Sequence, residues 1–203
     1  LLQATAHAFT IADLRNPSSV VAATTLSVAT KDAADKVCDG PTTTATPQIA
    51  VGAIIGTKTF VGATKTPGFK SNHVLSFTTA GQVPKASGTV LLLLPASFTE
   101  KPTAQFSMET PVASFTTPGS NAAVASSPFS GRTLTVTMLG TGTNVGLPQA
   151  TACVMQVTNV RTPSSIVATA STSTITTQDA AGKNVDTVAD VNTDQIVAGA
   201  LAS

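Results

Sequence analysis

A long internal repeat constrains this chain more than any other feature of its sequence. Leu14–Val21 (LRNPSSVV) returns as Val160–Val167 (VRTPSSIV), at an offset of 146 residues (from 14 to 160). Gln48–Ile54 (QIAVGAI) returns as Gln195–Leu201 (QIVAGAL), at an offset of 147 (from 48 to 195). A period of this length is that of a whole domain rather than of one turn of a solenoid.

The repeat divides the chain into a tail, a head and a second tail. Residues 1–56 hold the first tail, residues 57–152 the unrepeated head and residues 153–203 the second tail. One tail suffices to complete one head, so the sequence predicts a domain over residues 57–203 and a first tail that acts as an arm. We expect the first tail to be the one donated to a partner, because Leu1–Ala12 has no turn that anchors it to the head.

The composition is that of an extracellular β protein. Charged residues make up only 10% of the chain, against about a quarter in ordinary soluble domains. The net charge is +1, which gives no electrostatic indication of a nucleic-acid or membrane-surface partner. Ser and Thr account for about a quarter of the residues, a bias typical of secreted or cell-surface proteins. No apolar run approaches the roughly 20 residues of a membrane helix.

Apolar residues alternate with polar ones along many short segments, as in half-buried strands. Leu75 and Phe77 flank Ser76, and Leu134, Val136 and Met138 alternate with threonines. Short strands separated by turn residues predict an all-β fold, an immunoglobulin-like or jelly-roll-like β-sandwich with an exchanged terminal arm. The strands expected in the head are Lys58–Ala63, His73–Thr79, Gly88–Leu94, Ala104–Glu109, Val112–Thr117 and Arg132–Leu139.

The two tails show the same order of elements. Strands are expected at Leu26–Thr30 and Ser173–Thr177, each followed by a turn that begins with an aspartate, Asp32 or Asp179. In the first tail we expect a stiff linker over Pro41–Pro47 and a short strand over Ile49–Ile55. The only weak helical periodicity lies over Val185–Ile196.

Two strings of the head and one of the second tail carry a resemblance to a known class of proteins. Leu75–Pro84 (LSFTTAGQVP) precedes Gly88–Phe98 (GTVLLLLPASF), and Val157–Pro163 (VTNVRTP) follows later. These strings resemble a β-sandwich module of large repetitive extracellular proteins of eukaryotic microbes, and the composition is similar to that of glycosylated freshwater fibril protomers. The resemblance implies an extracellular or cell-surface structural protein.

Two patterns that resemble ligand-binding motifs have simpler structural explanations. Gly140–Gly146 is rich in glycine after a strand, but Leu147-Pro148 does not start the helix that a phosphate loop needs. Asp190, Asn192 and Asp194 have the spacing that opens a calcium loop, but Gln195 stands where glycine is required. Neither pattern predicts a cofactor or metal.

Catalytic and surface-binding patterns are equally weak. His7 and His73 have no acid or cysteine at ligand spacing, so no catalytic residue is assigned and the chain is not expected to be an enzyme. The threonine ladders Thr133–Thr137 and Thr172–Thr176 fit an ice-binding face as well as an ordinary solvated β face.

Cys38 and Cys153 are the only cysteines, and a pair in an extracellular chain usually forms a disulfide. We therefore predict a bond between Cys38 and Cys153, against the alternative of two free thiols. Hydroxyls in turn-rich segments are expected to carry O-linked glycans that supply solubility in a chain with few charges. The candidates are Thr42, Thr43, Thr44, Thr46, Thr116, Thr117, Thr162, Ser164 and Ser165.

The sequence thus predicts a structural subunit of an extracellular filament that polymerises head to tail with copies of itself by strand complementation. The alternative is an adhesin-like or ice- or surface-binding β module of a longer repeat array. The polymer-contact candidates are the apolar residues of the tails that would form the exchanged face: Phe9, Ile11, Val20, Val21, Ile166, Val167, Ile196 and Val197.

Overall fold

The computed structural model confirms an all-β sandwich and no helix among the residues that it describes. These are residues 8, 10–12, 17, 20–95, 107–108, 111–118, 122, 124–127, 129–140 and 146–199. The strands are β1 (Thr24–Lys31), β2 (Val37–Thr46), β3 (Gly52–Ala53), β4 (Ile55–Gly62), β5 (Lys70–Thr78), β6 (Thr89–Leu93), β7 (Ser107–Met108), β8 (Ala113–Thr117), β9 (Val124–Ser126), β10 (Phe129–Ser130), β11 (Thr133–Met138), β12 (Ala152–Arg161), β13 (Ala170–Gln178) and β14 (Asn184–Thr193).

Two sheets account for these strands, and they are very unequal in size. The large sheet has twelve strands in the order β10-β11-β6-β13-β14-β4-β5-β12-β7, with β3 beside β14, β8 beside β12 and β9 beside β11. The small sheet is the antiparallel pair β1 and β2, which we call hairpin 1. Its repeat copy, β13 and β14, lies in the middle of the large sheet, and we call it hairpin 2.

Alternation of apolar and polar residues explains the core of the large sheet. In β11 the side chains of Leu134, Val136 and Met138 are buried while the threonines between them are partly exposed. The same alternation buries Leu75 and Phe77 in β5 and Val90 and Leu92 in β6. The core therefore consists mainly of aliphatic residues and phenylalanine, drawn from the head and the second tail together.

Five of the six strands that the sequence predicts for the head are present with shifted ends. Of the sixth, Ala104–Glu109, only Ser107–Met108 lies within the described residues, where it forms β7. Three segments of the tails differ from what their sequence patterns indicate. Pro41–Pro47 is no linker, because residues 41–46 lie within strand β2. Val185–Ile196 is not helical, because Asn184–Thr193 forms β14. Ile49–Ile55 is not one strand: Ile49 forms an isolated bridge with Val21, and Gly52–Ala53 joins the large sheet as β3.

The start of the head lies a few residues before position 57. Gly52 and Ala53 pair with β14, the Ile54 side chain is buried in the core, and β4 begins at Ile55. Only two residues, Ala50 and Val51, separate Ile49, at the base of hairpin 1, from Gly52 in the large sheet. The first tail is therefore joined to the head by a very short connection. No described segment is a helix long and apolar enough to span a membrane.

Candidate assembly surface

Hairpin 2 shows how a tail hairpin is held by the head. Its first strand, β13, pairs antiparallel with β6 from Thr174 opposite Leu93 to Gln178 opposite Thr89. Its second strand, β14, pairs in parallel with β3 and with β4. Both edges of the hairpin are thus hydrogen-bonded to the head, and hairpin 2 closes a gap between β6 and β4.

The inward side chains of hairpin 2 contribute directly to the core. Ile175 and Val191 are fully buried, as is Ile196 just beyond the hairpin. Ile196 also forms an isolated bridge with Val167 that closes the base of the hairpin. Burial of one such aliphatic side chain stabilises a fold by roughly 1.5–3 kcal/mol, so removal of hairpin 2 would leave the head with an open apolar slot.

A buried carboxylate lies at the far end of the same slot. Asp186 in β14 is completely buried, and its oxygens accept hydrogen bonds from the backbone N–H of Gly81 (2.9 Å) and of Ala80 (3.2 Å). The Thr177 hydroxyl of β13 donates a third bond to Asp186 at 3.3 Å. A buried carboxylate is stable only when it is hydrogen-bonded in this way.

Two glycines make room for this contact. A side chain at Gly52 would overlap an oxygen of Asp186, and one at Gly81 would overlap the Val185 side chain. The absence of a side chain at both glycines therefore allows the head and hairpin 2 to approach each other closely.

Hairpin 1 has the same construction as hairpin 2. Leu26 faces Thr44 and Lys31 faces Val37, as Ser173 faces Val191 and Gln178 faces Asn184 in the other copy. The turns also agree: Asp32 Oδ1 accepts the N–H of Ala34 and of Lys36, as Asp179 Oδ1 accepts those of Ala181 and Lys183. The repeat is therefore structural as well as sequential.

The two hairpins differ in what covers them. In the described structure β1 and β2 pair only with each other, and the face of hairpin 1 that corresponds to the buried face of hairpin 2 is exposed. Val28 occupies the position of Ile175 and is 40% exposed, whereas Ile175 is 0% exposed. Leu26 occupies the position of the buried Ser173 and is 52% exposed. An exposed hairpin with an apolar face is typical of an interaction site.

The polymer-contact candidates fall into three groups. Ile11, Val20, Val21, Ile166 and Val197 are exposed, as a contact surface requires. Ile196 is buried in the core of its own chain and Val167 is half-buried, so these two belong to the intramolecular seat of hairpin 2. Phe9 lies outside the described residues. The sequence pattern did not reveal which copy is covered, because both copies carry it.

The predicted disulfide is not formed in this structure, where both cysteines are free. Cys153 lies in the core on β12, and burial raises the pKa of its thiol to about 12. Cys38 lies on exposed hairpin 1, at the position that Val185 occupies in hairpin 2. The register of the repeat thus explains why the two sulfurs do not meet, since one faces the sandwich interior and the other faces solvent.

The glycan candidates also divide by burial. Thr42, Thr43, Thr44, Thr116, Thr117, Ser164 and Ser165 are exposed, and Thr46 is half-buried. Thr162 is a poor acceptor, because its side chain is buried, its hydroxyl donates to the Thr66 carbonyl at 2.6 Å and it accepts the Phe69 N–H. The turn residues around Thr162 indicated exposure, but the hydroxyl serves the fold.

Asp190, Asp194 and His73 make contacts within the fold. Asp190 forms an ion pair with Lys58 (2.8 Å) and Asp194 with Lys65 (3.2 Å). No group of three His, Cys, Asp or Glu residues in the described part of the chain is arranged to hold a metal ion. His73 is buried against the ring of Phe60, and burial lowers its pKa to about 4 despite the opposing influence of Ser71 and Asp194. The loop over residues 141–145 lies outside the described residues.

Comparison with known proteins yields a distant structural similarity. No protein family matches the chain, and a search of curated proteins finds no significant match. Among solved structures, the chain is similar to the non-cellulosomal cohesin from the hyperthermophilic archaeon Archaeoglobus fulgidus. The identity is 12%, the match covers 70% of this chain and 93% of the cohesin, and the TM-score is 0.38.

Proposed function

We propose that this protein is a structural subunit of an extracellular filament, and that hairpin 1 joins successive units by completing the head of another unit. The observation that supports this proposal is a difference between the two repeat copies. Hairpin 2 (residues 170–193) is paired on both sides with a head, whereas hairpin 1 (residues 24–46) is exposed. The seated copy supports one kind of partner for hairpin 1, namely a slot between strands equivalent to β6 and β4.

The pairing of the head determines how hairpin 1 can enter it. Strands β4, β5, β6, β11 and β12 each have neighbours on both sides within the described sheet. The remaining strands of the large sheet, such as β8 with its single partner β12, offer pairing on one side only, so the only described site that holds a hairpin by both edges is the one that hairpin 2 occupies. The head that receives hairpin 1 must be a copy of this head whose hairpin site is open.

The number of sites sets a condition on the assembly. Residues 1–203 carry two hairpins and one head, so exchange among identical chains through this site alone leaves one hairpin per chain uncovered. We infer that in the filament hairpin 1 of one chain takes the site that hairpin 2 occupies in the isolated chain, and that the displaced hairpin 2 is the one left uncovered. The contact is heterologous, so it propagates rather than closes.

The short connection after hairpin 1 supports a compact filament. The three Cα–Cα steps from Ile49 to Gly52 span at most about 11 Å, so a head seated on hairpin 1 would lie directly against the next head. Thr42 and Thr43, whose counterparts Ala189 and Asp190 are exposed in the seated hairpin 2, and Ser164 and Ser165 would carry the O-linked glycans of such a filament. No catalytic role is part of this proposal.

A second candidate is favoured by a specific observation. Because the head of this chain is already closed by its own hairpin 2, the head that hairpin 1 requires could belong to the same polypeptide. The protein would then be an adhesin-like or surface-binding module of a longer array with a period of about 147 residues. The mass of the native polypeptide under denaturing conditions separates the candidates, because 20.3 kDa fits separate subunits and a multiple of the period fits an array.

Truncation tests complementation directly. A chain of residues 1–169 lacks hairpin 2 and so combines one open head with one free hairpin 1. We expect it to assemble into filaments visible by negative-stain electron microscopy, whereas residues 51–169 should bind the 1–203 chain in a 1:1 complex and should not polymerise. Should either truncation fail to fold alone, co-expression with the 1–203 chain supplies the missing hairpin. A folded 1–169 chain that stays monomeric would refute the proposal.

A further inference from the structure

We propose that Asp39 is the residue that locks hairpin 1 into another head, by accepting hydrogen bonds from the backbone N–H groups of Ala80 and Gly81 of the partner subunit. This inference rests on the proposed function and adds to it the specific recognition group and the site that receives it. The occupant of the slot is hairpin 1 of a second copy of this chain.

The seated copy supplies the geometry. Asp186 is fully buried and accepts the N–H groups of Gly81 and Ala80, at 2.9 and 3.2 Å, from residues that lie 105 and 106 positions away in the sequence. These two amides follow strand β5 and belong to the head. They therefore form a fixed receptor for a carboxylate on any hairpin that enters the slot.

Hairpin 1 presents the same carboxylate in the same local setting. Asp39 faces Thr30 across the strands, as Asp186 faces Thr177. The Thr30 hydroxyl donates to Asp39 Oδ2 at 2.7 Å, as the Thr177 hydroxyl donates to Asp186 Oδ2 at 3.3 Å. Thr30 thus holds the exposed Asp39 side chain in the arrangement that the seated copy adopts.

The other acids of hairpin 1 have roles within the hairpin. Asp32 accepts two backbone N–H groups of the turn, and Asp35 forms an ion pair with Lys31 at 2.9 Å. The chain has only ten acidic residues, and two of the positions in hairpin 1 are acidic in both copies: 32 with 179, and 39 with 186. Asp32 and Asp179 cap the turns of their hairpins. Asp39 and Asp186 are therefore the pair that is available for the contact with a head.

The head provides room for the second carboxylate as it does for the first. Cys38 takes the place of Val185, over Gly81, and Asp39 takes the place of Asp186, beside Gly52. A hairpin seated out of register would bury a carboxylate away from the two amides, and an uncompensated buried charge is strongly disfavoured. The carboxylate therefore selects the register as well as the partner.

The test uses full-length chains in which one head is opened by a single substitution. Asp186→Lys places an ammonium against the amides of Ala80 and Gly81 and expels hairpin 2, which opens the head of that chain. The same chain carries Val28→Lys, so that its own hairpin 1 cannot dock, because Val28 occupies the position of the fully buried Ile175. This acceptor is called the D186K chain. A fully folded chain with wild-type hairpin 1 should then bind the D186K chain, and native mass spectrometry of isotopically labelled mixtures reports the heterodimer. If D186K unfolds by itself, the same mixture reports rescue of its fold.

Two variants of the chain that supplies hairpin 1 distinguish the contribution of Asp39 from the binding of the hairpin in general. Asp39→Asn should weaken the complex by about tenfold to a hundredfold, as expected when a charged hydrogen-bond acceptor is lost. Asp35→Asn is the matched control, since it removes an exposed carboxylate of the same hairpin at a left-handed position that asparagine tolerates. Equal binding by the D39N and D35N donors would overturn the role of Asp39 while leaving complementation intact. Failure of the wild-type donor to bind D186K would overturn both proposals.

Discussion

Hairpin 2 is buried and hairpin 1 is exposed, so equivalent substitutions in the two hairpins should lower the free energy of unfolding by very different amounts. Ile175 and Val28 occupy the same position of the repeat, and they are 0% and 40% exposed. Ile175→Ala removes three carbons from the core, which at about 0.8 kcal/mol per methylene amounts to about 2.4 kcal/mol. The cavity that remains brings the expected loss in the free energy of unfolding to about 3–4 kcal/mol. Val28→Ala removes two carbons from an exposed face and should cost less than about 1 kcal/mol.

Urea unfolding of dilute protein measures both changes. The chain has no Trp or Tyr, so far-UV circular dichroism is the suitable signal. Comparable losses for the two variants would mean that hairpin 1 packs against its own head, and the case for an exposed assembly surface would fail. In assembled material the expectation for Val28→Ala changes, because complementation moves Val28 into a core: the variant should then raise the concentration needed for assembly.

Two further predictions concern the buried titratable groups. The pKa of His73 is lowered from 6.5 to about 4 by burial, so the unfolded chain binds a proton between these values that the folded chain resists. Stability should be complete above pH 6.5 and fall by about 3 kcal/mol as the pH decreases to about 4. His73→Gln should flatten this part of the profile, and an unchanged slope would contradict the assignment. Under native conditions a thiol reagent should modify Cys38 rapidly and Cys153 only on unfolding, because the Cys153 thiol is buried and its pKa is raised to about 12. Equal labelling rates, read by peptide mass spectrometry, would contradict the position of Cys153 in the core.

Much of the fold could be predicted from the sequence because alternation of apolar and polar residues reports burial directly. The alternation of Leu134, Val136 and Met138 with threonines gave both the strand and its inward face. The pattern failed where the ladder is irregular. In β14 the buried or half-buried residues Val185, Val188 and Val191 are three apart because the pairing with β13 shifts register at several points. Such bulges produce a spacing that resembles a helical stripe.

Proline misled the prediction for the first tail for a different reason. Pro41 and Pro47 enclose a run of threonines, which is typical of a linker, yet residues 37–46 form β2. Strand β2 has a partner on one side only, and the register shift between Val28 and Thr30 lies opposite Pro41. A proline at such a place removes no ladder hydrogen bond and is compatible with a strand.

The candidate site could be predicted only in part, because half of it is backbone. The repeat marks the tails as interchangeable, and their apolar residues indicate a buried face. The receptor for Asp186, however, consists of the N–H groups of Ala80 and Gly81, which no side-chain motif encodes. The available signal was the pair Thr30 and Asp39, nine residues apart, which returns as Thr177 and Asp186 in a chain with few charges. A carboxylate that is buried, as Asp186 is in hairpin 2, requires hydrogen-bond donors. For Asp186 two donors are backbone amides of its own head, and we propose that Asp39 meets the corresponding amides of another head.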